Sequence, residues 1–251
     1  MLTEKIKETI DLLMETNING CVTGSSMIPD VDFDLWESVP DIDVFVYTEA
    51  QLQYAANLLM FRFGFEPESD GEKWKLDRVQ NFGIQKSAPL STLKLEKDGV
   101  TVNVTYKKSK TNLFAVLSSF DMSIIMVGMD IPTKIKLDLR KGWNGMVMDD
   151  PYSKWSDNVR KAVPNPLRRQ DADMYTVEMW VRQFDRVIKY WNRGFDTRPM
   201  AVFYIDLINE VIKKGQLFNT EKSERAYKEF ITTYEPLRDK MVQWLEDRRD
   251  D

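Results

Sequence analysis

The chain predicts an α/β (α+β) protein, a mixed-sheet core over residues 1–150 followed by a C-terminal helical domain over 151–251. Three observations carry that prediction. Short apolar segments of period two alternate with helical patterns in the first part. Polarity then shifts at Asp149-Asp150-Pro151, with Pro164 and Pro166 punctuating a connector. Beyond the connector, three long helical patterns follow. With 251 residues and 43% hydrophobic content, the chain can bury a sizeable core.

Each element has its own signal. Ile6, Ile10, Leu13 and Met14 recur at helical spacing behind Thr3, so an amphipathic helix opens the chain. A strand at 20–24 and a second at 41–47 follow. Thr48-Glu49-Ala50-Gln51 reads as a capping box starting a helix through Phe63, which buries Leu52, Ala55, Leu59 and Met60. This unit places the second strand at the centre of the sheet. Segments near 82–86, 90–96 and 100–106 read as strands, and Lys97-Asp98-Gly99 marks a hairpin between the last two. A short helix near 111–118, a strand at 120–127 and an extended stretch from Ile131 to Leu139 complete the core. Hairpins interleaved with crossovers imply mixed strand directions.

Helices are expected near 170–193, 199–214 and 220–248. In the first of them Val177, Trp180, Val181, Phe184, Ile188 and Trp191 form an apolar core stripe, and Arg182, Arg186, Lys189 and Arg193 a basic one.

The residues that carry chemistry stand at two strand ends. Cys21-Val22-Thr23-Gly24-Ser25-Ser26 ends an apolar strand in a tight turn. Pro40-Asp41-Ile42-Asp43-Val44-Phe45-Val46 puts two carboxylates on one face of the next strand. Backbone N–H groups and small hydroxyls at a glycine turn approach phosphate closely, because no Cβ intervenes. Paired carboxylates suit Mg²⁺ or Mn²⁺, hard ions that complete their shell with water and substrate phosphate. A phosphate cradle at Gly24, Ser25 and Ser26 beside a metal pair at Asp41 and Asp43 therefore points to nucleotidyl transfer with pyrophosphate as leaving group.

Gly24, Ser25, Asp41 and Asp43, in that order, resemble the signature of the polymerase-β-like nucleotidyltransferase superfamily. That signature is an apolar strand, Gly-Ser, a spacer, Asp-x-Asp and a third carboxylate on a later strand. The segment Ser119 to Gly128 is similar to the strand after the third-acid position in viral and tRNA-processing members. Arg186 to Phe195 is similar to a helix ending of viral and phage members. The resemblance covers roughly the first two thirds of the chain well and the helical remainder loosely. It implies transfer of a nucleoside monophosphate from a nucleoside triphosphate to a hydroxyl, with an RNA 3′ end such as tRNA first, then a protein hydroxyl, then a small molecule. It also implies that Arg186 or Lys189 reaches the triphosphate, Lys189 before the others. The other readings of the basic stripe are a guide for an RNA acceptor, with Arg168 and Arg169, and a solvated face.

Two departures from the signature stand out. The spacer between Ser26 and Asp41 carries its own acidic run, Asp30-Val31-Asp32-Phe33-Asp34. The later strand, Val100-Thr101-Val102-Asn103-Val104-Thr105-Tyr106, has Asn103 at the third-carboxylate position. An amide can ligate Mg²⁺ or orient the acceptor, but it carries no charge and cannot act as a base. Asp121 or Glu96 could supply the missing charge from a neighbouring strand. The alternative to an enzyme is a catalytically silent protein of this fold that binds nucleotide, RNA or a protein partner. A third reading is modification of a protein in an antitoxin-like or host-takeover role.

Composition narrows the classes further. A formal net charge of -5 argues against broad wrapping of nucleic acid, though it permits a local basic groove. The chain has no histidine, which excludes His-based acid–base catalysis and the common zinc sites. Its single cysteine, Cys21, reads as a small core residue. Residues 1–18 interleave charges with apolar residues and lack the pattern of a secretory signal, and no stretch approaches a membrane span. The expected location is the cytoplasm, that of a host if the chain is phage-encoded.

Overall fold

The structure is a computed structural model that describes residues 2–29, 31–67, 77–79, 90–140, 159–165, 167, 177–215 and 221–249. They form two compact units, one built on the described residues up to 159 with 165 and 167, the other on 160–164 and the helices from 177 onward.

The first unit opens with α1 (Leu2–Met14), which buries Ile6 and Leu13. Its N-terminus is held from far along the chain. Asp34 Oδ1 accepts the Leu2 N–H at 2.7 Å, and Asp32 Oδ1 accepts the Thr3 hydroxyl at 3.1 Å. Carboxylates there satisfy a donor that the helix leaves unpaired and complement its dipole. The acidic run in the spacer therefore has a structural use.

Among the described residues, eight strands form one mixed sheet: β1 (Gly20–Thr23), β2 (Ile42–Val46), β3 (Glu66–Pro67), β4 (Asp77–Val79), β5 (Leu90–Lys97), β6 (Val100–Lys107), β7 (Val127–Asp130) and β8 (Lys136–Asp138). Their order is β3-β5-β6-β2-β1-β7-β8, with β4 also pairing with β5. β2 runs parallel to β6 and antiparallel to β1, so the mixed sheet and the central place of β2 are as the sequence predicts. Ile42, Val44 and Val46 are at most 1% exposed and alternate with half-buried Asp43 and Phe45. Each such apolar side chain contributes about 1.5–3 kcal/mol on burial. The face carrying Cys21 and Phe45 packs against α3 (Leu113–Leu117) through Leu113, Val116 and Leu117.

α2 (Glu49–Asn57) packs on β2 and β6, runs on into a π turn at Leu58–Arg62, and buries Leu52, Ala55 and Leu59, while Met60 is half-buried. The expected capping box does not close. The Thr48 side chain makes no capping hydrogen bond, and Gln51 Oε1 instead accepts the Asn19 N–H at 2.9 Å. The β5–β6 hairpin forms where expected, with Asp98 and Gly99 at φ 52° and 79°, the paired left-handed geometry of a primed turn.

The expected strand at 120–127 is a different element. Ser123–Ile125 makes a 3-10 turn and β7 begins only at Val127. Met122 to Val127 are all buried, and an apolar run buried on every side carries no period from which a strand can be told. Ile131 to Leu139 does not continue as one extended stretch but folds back, so that β8 pairs antiparallel with β7. The strand expected at 82–86 and the helix start near 170 lie outside the described residues.

The second unit contains α4 (Val177–Asn192), α5 (Arg198–Gly215) and α6 (Glu221–Glu246). Trp180 meets Tyr204 edge-on at 5.7 Å, and Phe184 and Trp191 meet Trp244 edge-on at 6.3 and 5.5 Å. Val181, assigned to the core stripe, is instead 42% exposed, and Val187 is fully buried. The inward positions follow steps of four, three and four through Trp180, Phe184, Val187 and Trp191. The basic residues do not share one environment. Arg193 is buried with its guanidinium 5.6 Å from the Tyr190 ring, and Arg186 donates to Gln183 Oε1 at 3.1 Å. Arg182 and Lys189 are exposed.

Candidate functional site: paired carboxylates beside a glycine turn

Strand register assembles the site. Thr23, Asp43, Asn103 and Lys94 stand opposite one another across β1, β2, β6 and β5. Paired residues on adjacent strands project to the same face, so the four make a polar row. Two residues along lies the row Cys21, Phe45, Thr105 and Thr92, whose Cys21 end is sealed by α3. Asp41, two residues before Asp43, joins the polar side.

Asn103 ties the two acids together. Its Nδ2 donates to Asp41 Oδ2 and to Asp43 Oδ1, each at 3.2 Å. An ionised carboxylate only accepts, so the amide must present its NH₂ to the pair. Hydrogen bonds to charged groups are worth about 1.5–3 kcal/mol each. The Oδ1 left behind is buried and has no hydrogen-bond partner. An orphaned acceptor of this kind costs about 1–3 kcal/mol, a sign that a ligand belongs here.

The glycine turn lies directly against the carboxylates. Gly24 adopts φ 82° and ψ -159°, a conformation that side chains rarely take, and a Cβ built on it would collide with Asp43 Oδ2. From Gly24 the chain enters a 3-10 turn, Ser25–Met27, whose first hydrogen bond runs from the Met27 N–H to the Gly24 carbonyl at 3.1 Å. The N–H groups of Ser25 and Ser26 precede that bond and have no carbonyl within the turn. Ser25 and Ser26 are buried, and the Ser26 hydroxyl donates to the Thr23 carbonyl at 3.4 Å.

The residues expected from the sequence thus divide. Gly24, Ser25, Ser26, Asp41, Asp43 and Asn103 come together in the first unit, whereas Arg186 and Lys189 lie on α4 of the second. Neither Asp121 nor Glu96 completes a trio of acids, because among the described residues no three of His, Cys, Asp and Glu gather as a metal site. Asp121 is buried just before the Ser123–Ile125 turn, and Glu96 is exposed opposite Thr101. Lys94, which sequence reasoning missed, is the cation of the polar row. The signal was present: the two-residue Asp98-Gly99 turn sets Lys97 opposite Val100, and three steps back Lys94 falls opposite Asn103.

A divalent ion fits this donor set. Two carboxylates are hard oxygen ligands, the Asn103 amide oxygen can join them once the amide turns it toward the pair, and the glycine backbone beside them carries no side chain to fill the space.

Fold and site together define a class of protein, a mixed sheet whose central strand carries paired carboxylates against a Gly-Ser-Ser turn. No family model matches the chain, and no curated protein sequence matches it. Among solved structures it is similar to the Thermotoga maritima CCA-adding enzyme complexed with tRNA-CCA, with a TM-score of 0.41 and 15% identity over 91% of this chain and 53% of that one. The chain therefore spans about half the length of that enzyme. Among the described residues, no helix is long and apolar enough to cross a membrane.

Proposed function

We propose that the chain is a Mg²⁺-dependent nucleotidyltransferase that moves a nucleoside monophosphate from a nucleoside triphosphate to a hydroxyl acceptor. One observation supports the reading: the Gly24 backbone abuts the Asp43 carboxylate so closely that a Cβ would not fit, which sets the proposed phosphate cradle beside the proposed metal pair. Asp41 and Asp43 would hold Mg²⁺ or Mn²⁺, with the unpartnered Asn103 Oδ1 as a further oxygen. When bound, the ion supplies neutralisation of the triphosphate and of the departing pyrophosphate.

The remaining work falls to the chain. The N–H groups of Ser25 and Ser26 bind and orient the β and γ phosphates. The acceptor oxygen bonds to the α-phosphorus while the bond to the β-phosphate oxygen breaks, and pyrophosphate leaves with the electron pair. Of the three site side chains only the carboxylates can accept the hydroxyl proton, since an amide cannot. The reading keeps residues 1–150 as catalytic core and 151–251 as helical domain, with Lys189 and then Arg186 assisting at the triphosphate. Its acceptor is an RNA 3′ end such as tRNA and its location the cytoplasm. The likeness to viral and phage members rests on the sequence from Ser119 to Gly128 and from Arg186 to Phe195.

The test is transfer of label from each α-labelled nucleoside triphosphate, with Mg²⁺, into the RNA, protein and small-molecule fractions of a cell extract. Label in one fraction that disappears with Asp43→Ala supports the reading and names the acceptor class. Equal transfer by Asp43→Ala and wild type refutes it.

A second reading is favoured by Asn103, whose amide holds two acids together with no charge of its own. In it the fold binds nucleotide, RNA or a protein without turning anything over. Nucleotide affinity indifferent to Mg²⁺, with no label moved, distinguishes that case.

A further inference from the structure

The Asn103 amide is saturated on one side and empty on the other. Both Nδ2 hydrogens are engaged, one by Asp41 and one by Asp43, while the buried Oδ1 has no partner. We infer that Asn103 is a positioning residue that stands in for the cation: in the metal-free protein its NH₂ group holds the two carboxylates side by side, and a divalent ion binds only by displacing those two hydrogen bonds and turning the amide over, so that Oδ1 gains the partner it lacks. The inference rests on the carboxylate pair being a cation site, as proposed above.

The physics follows from charge. Two neighbouring carboxylates repel, and the repulsion is relieved by a cation, by a proton or by donors aimed at both. Here the donors are on the next strand, fixed by the pairing of Asp43 with Asn103. A site already satisfied in this way gains less from a cation than three carboxylates would, because cation affinity rises with the number of charged ligands. The wild-type site therefore takes its ion together with the nucleotide, whose phosphates add the negative charge that Asn103 withholds. Cation loading becomes conditional on substrate.

An aspartate at this position should reverse both properties, adding a charge and removing the donor. Thermal melting of the full chain, of Asn103→Asp and of Asn103→Leu tests this in EDTA, in Mn²⁺ or Mg²⁺ alone, and in Mn²⁺ with a non-hydrolysable nucleoside triphosphate. In EDTA, Asn103→Asp melts about 2–4 °C below wild type. Mn²⁺ alone then raises its melting temperature at about a tenfold lower concentration than wild type needs. Asn103→Leu also melts lower in EDTA but gains no affinity for Mn²⁺, which separates loss of the donor from gain of charge. Should the variants not fold, the side-chain amide resonances of Asn103 in the wild-type protein supply the readout, shifting when Mg²⁺ and nucleotide are added together and not with Mg²⁺ alone.

Identical melting of Asn103→Asp and wild type in EDTA with the same Mn²⁺ dependence, or amide resonances that ignore Mg²⁺ with nucleotide, overturns the inference. Label transfer alongside such a result leaves the nucleotidyltransferase standing. Reversed melting behaviour without transfer does the opposite, and no response of either protein to Mn²⁺, with or without nucleotide, removes the cation site and this inference with it.

Discussion

Two acidic clusters flank β1, two residues apart along the strand, and they are built on opposite plans. Asp130 stands opposite Cys21 and receives the Tyr47 hydroxyl at 2.5 Å together with the Thr133 N–H and hydroxyl at 3.0 and 2.7 Å. Three donors serve one carboxylate. Burial pushes the Cys21 thiol up to about 12, and burial, reinforced by Cys21 and Asp130, drives the Tyr47 hydroxyl well above its ordinary range. Both groups stay neutral in any physiological medium. Opposite Thr23, by contrast, Asp43 and its neighbour Asp41 both accept from the Asn103 amide. An acid surrounded by donors is finished structure. A pair of acids bridged by an amide whose oxygen is unused, beside a bare glycine backbone, is the arrangement the proposed function draws on.

The sharpest way to break that comparison is to exchange the two kinds of acid for alanine. Asp43→Ala is expected to lower label transfer about a hundredfold or more, with the loss of its hydrogen bond from Asn103 largely offset in melting temperature by relief of the repulsion from Asp41. Asp130→Ala is expected to lower the melting temperature while folded protein transfers label normally. The reverse pattern would assign the clusters the wrong way round. Gly24→Ala comes next: forcing a side chain into this positive-φ, extended-ψ region costs about 1–3 kcal/mol, and the new Cβ meets Asp43 Oδ2, so denaturant midpoint and transfer should fall together.

Tyr47→Phe removes one of the three donors to Asp130 and should cost about 1–3 kcal/mol in the same denaturation experiment, with transfer unaffected. The alkaline limb of stability belongs to the same cluster. A group whose folded value lies above its unfolded one contributes stability that is complete below the unfolded value and is lost as pH rises. For Cys21 the window opens at 9.0 and closes at about 12, and Tyr47 enters it at 10.0 and extends it upward. Melting temperature should therefore be level from neutrality to the opening of that window and fall beyond it, and the double variant Cys21→Ala, Tyr47→Phe should flatten the fall. The smallest effect is expected at the edge of the polar row. Lys94→Ala should raise KM for the triphosphate by about threefold, within the range of an exposed charge pair, and leave kcat unchanged.

The contrast between the clusters also marks where sequence reading stops. α1, β1, β2 and the β5–β6 hairpin were legible because their signals are local: apolar period, an Asp-Gly turn, a strand ending in Gly-Ser-Ser. Gly24, Asp41 and Asp43 were legible by order and spacing. The use of Asp32 and Asp34 was not, because they serve Leu2 and Thr3, about thirty residues away, and nothing near them says so. The Thr48 capping box failed for the same reason, since Gln51 found a better donor in Asn19, from another segment. The apolar run before Val127 gave no period to read. Asn103 was noticed as a missing charge, but its role as a shared donor depends on the register of β2 against β6.

Among the described residues that register is the one parallel strand pairing in the sheet, and it has a kinetic consequence. The β5–β6 hairpin closes over a two-residue turn and can form early. Asp43 and Asn103 meet only when a loop of about sixty residues has closed, a step whose entropy must be met before the contact rewards it. A chain with its hairpins made and β2 undocked has both acids and the amide but no site. Recovery of ligand binding during refolding should therefore lag behind recovery of strand signal, which makes occupancy of this site a reporter that the whole sheet has assembled.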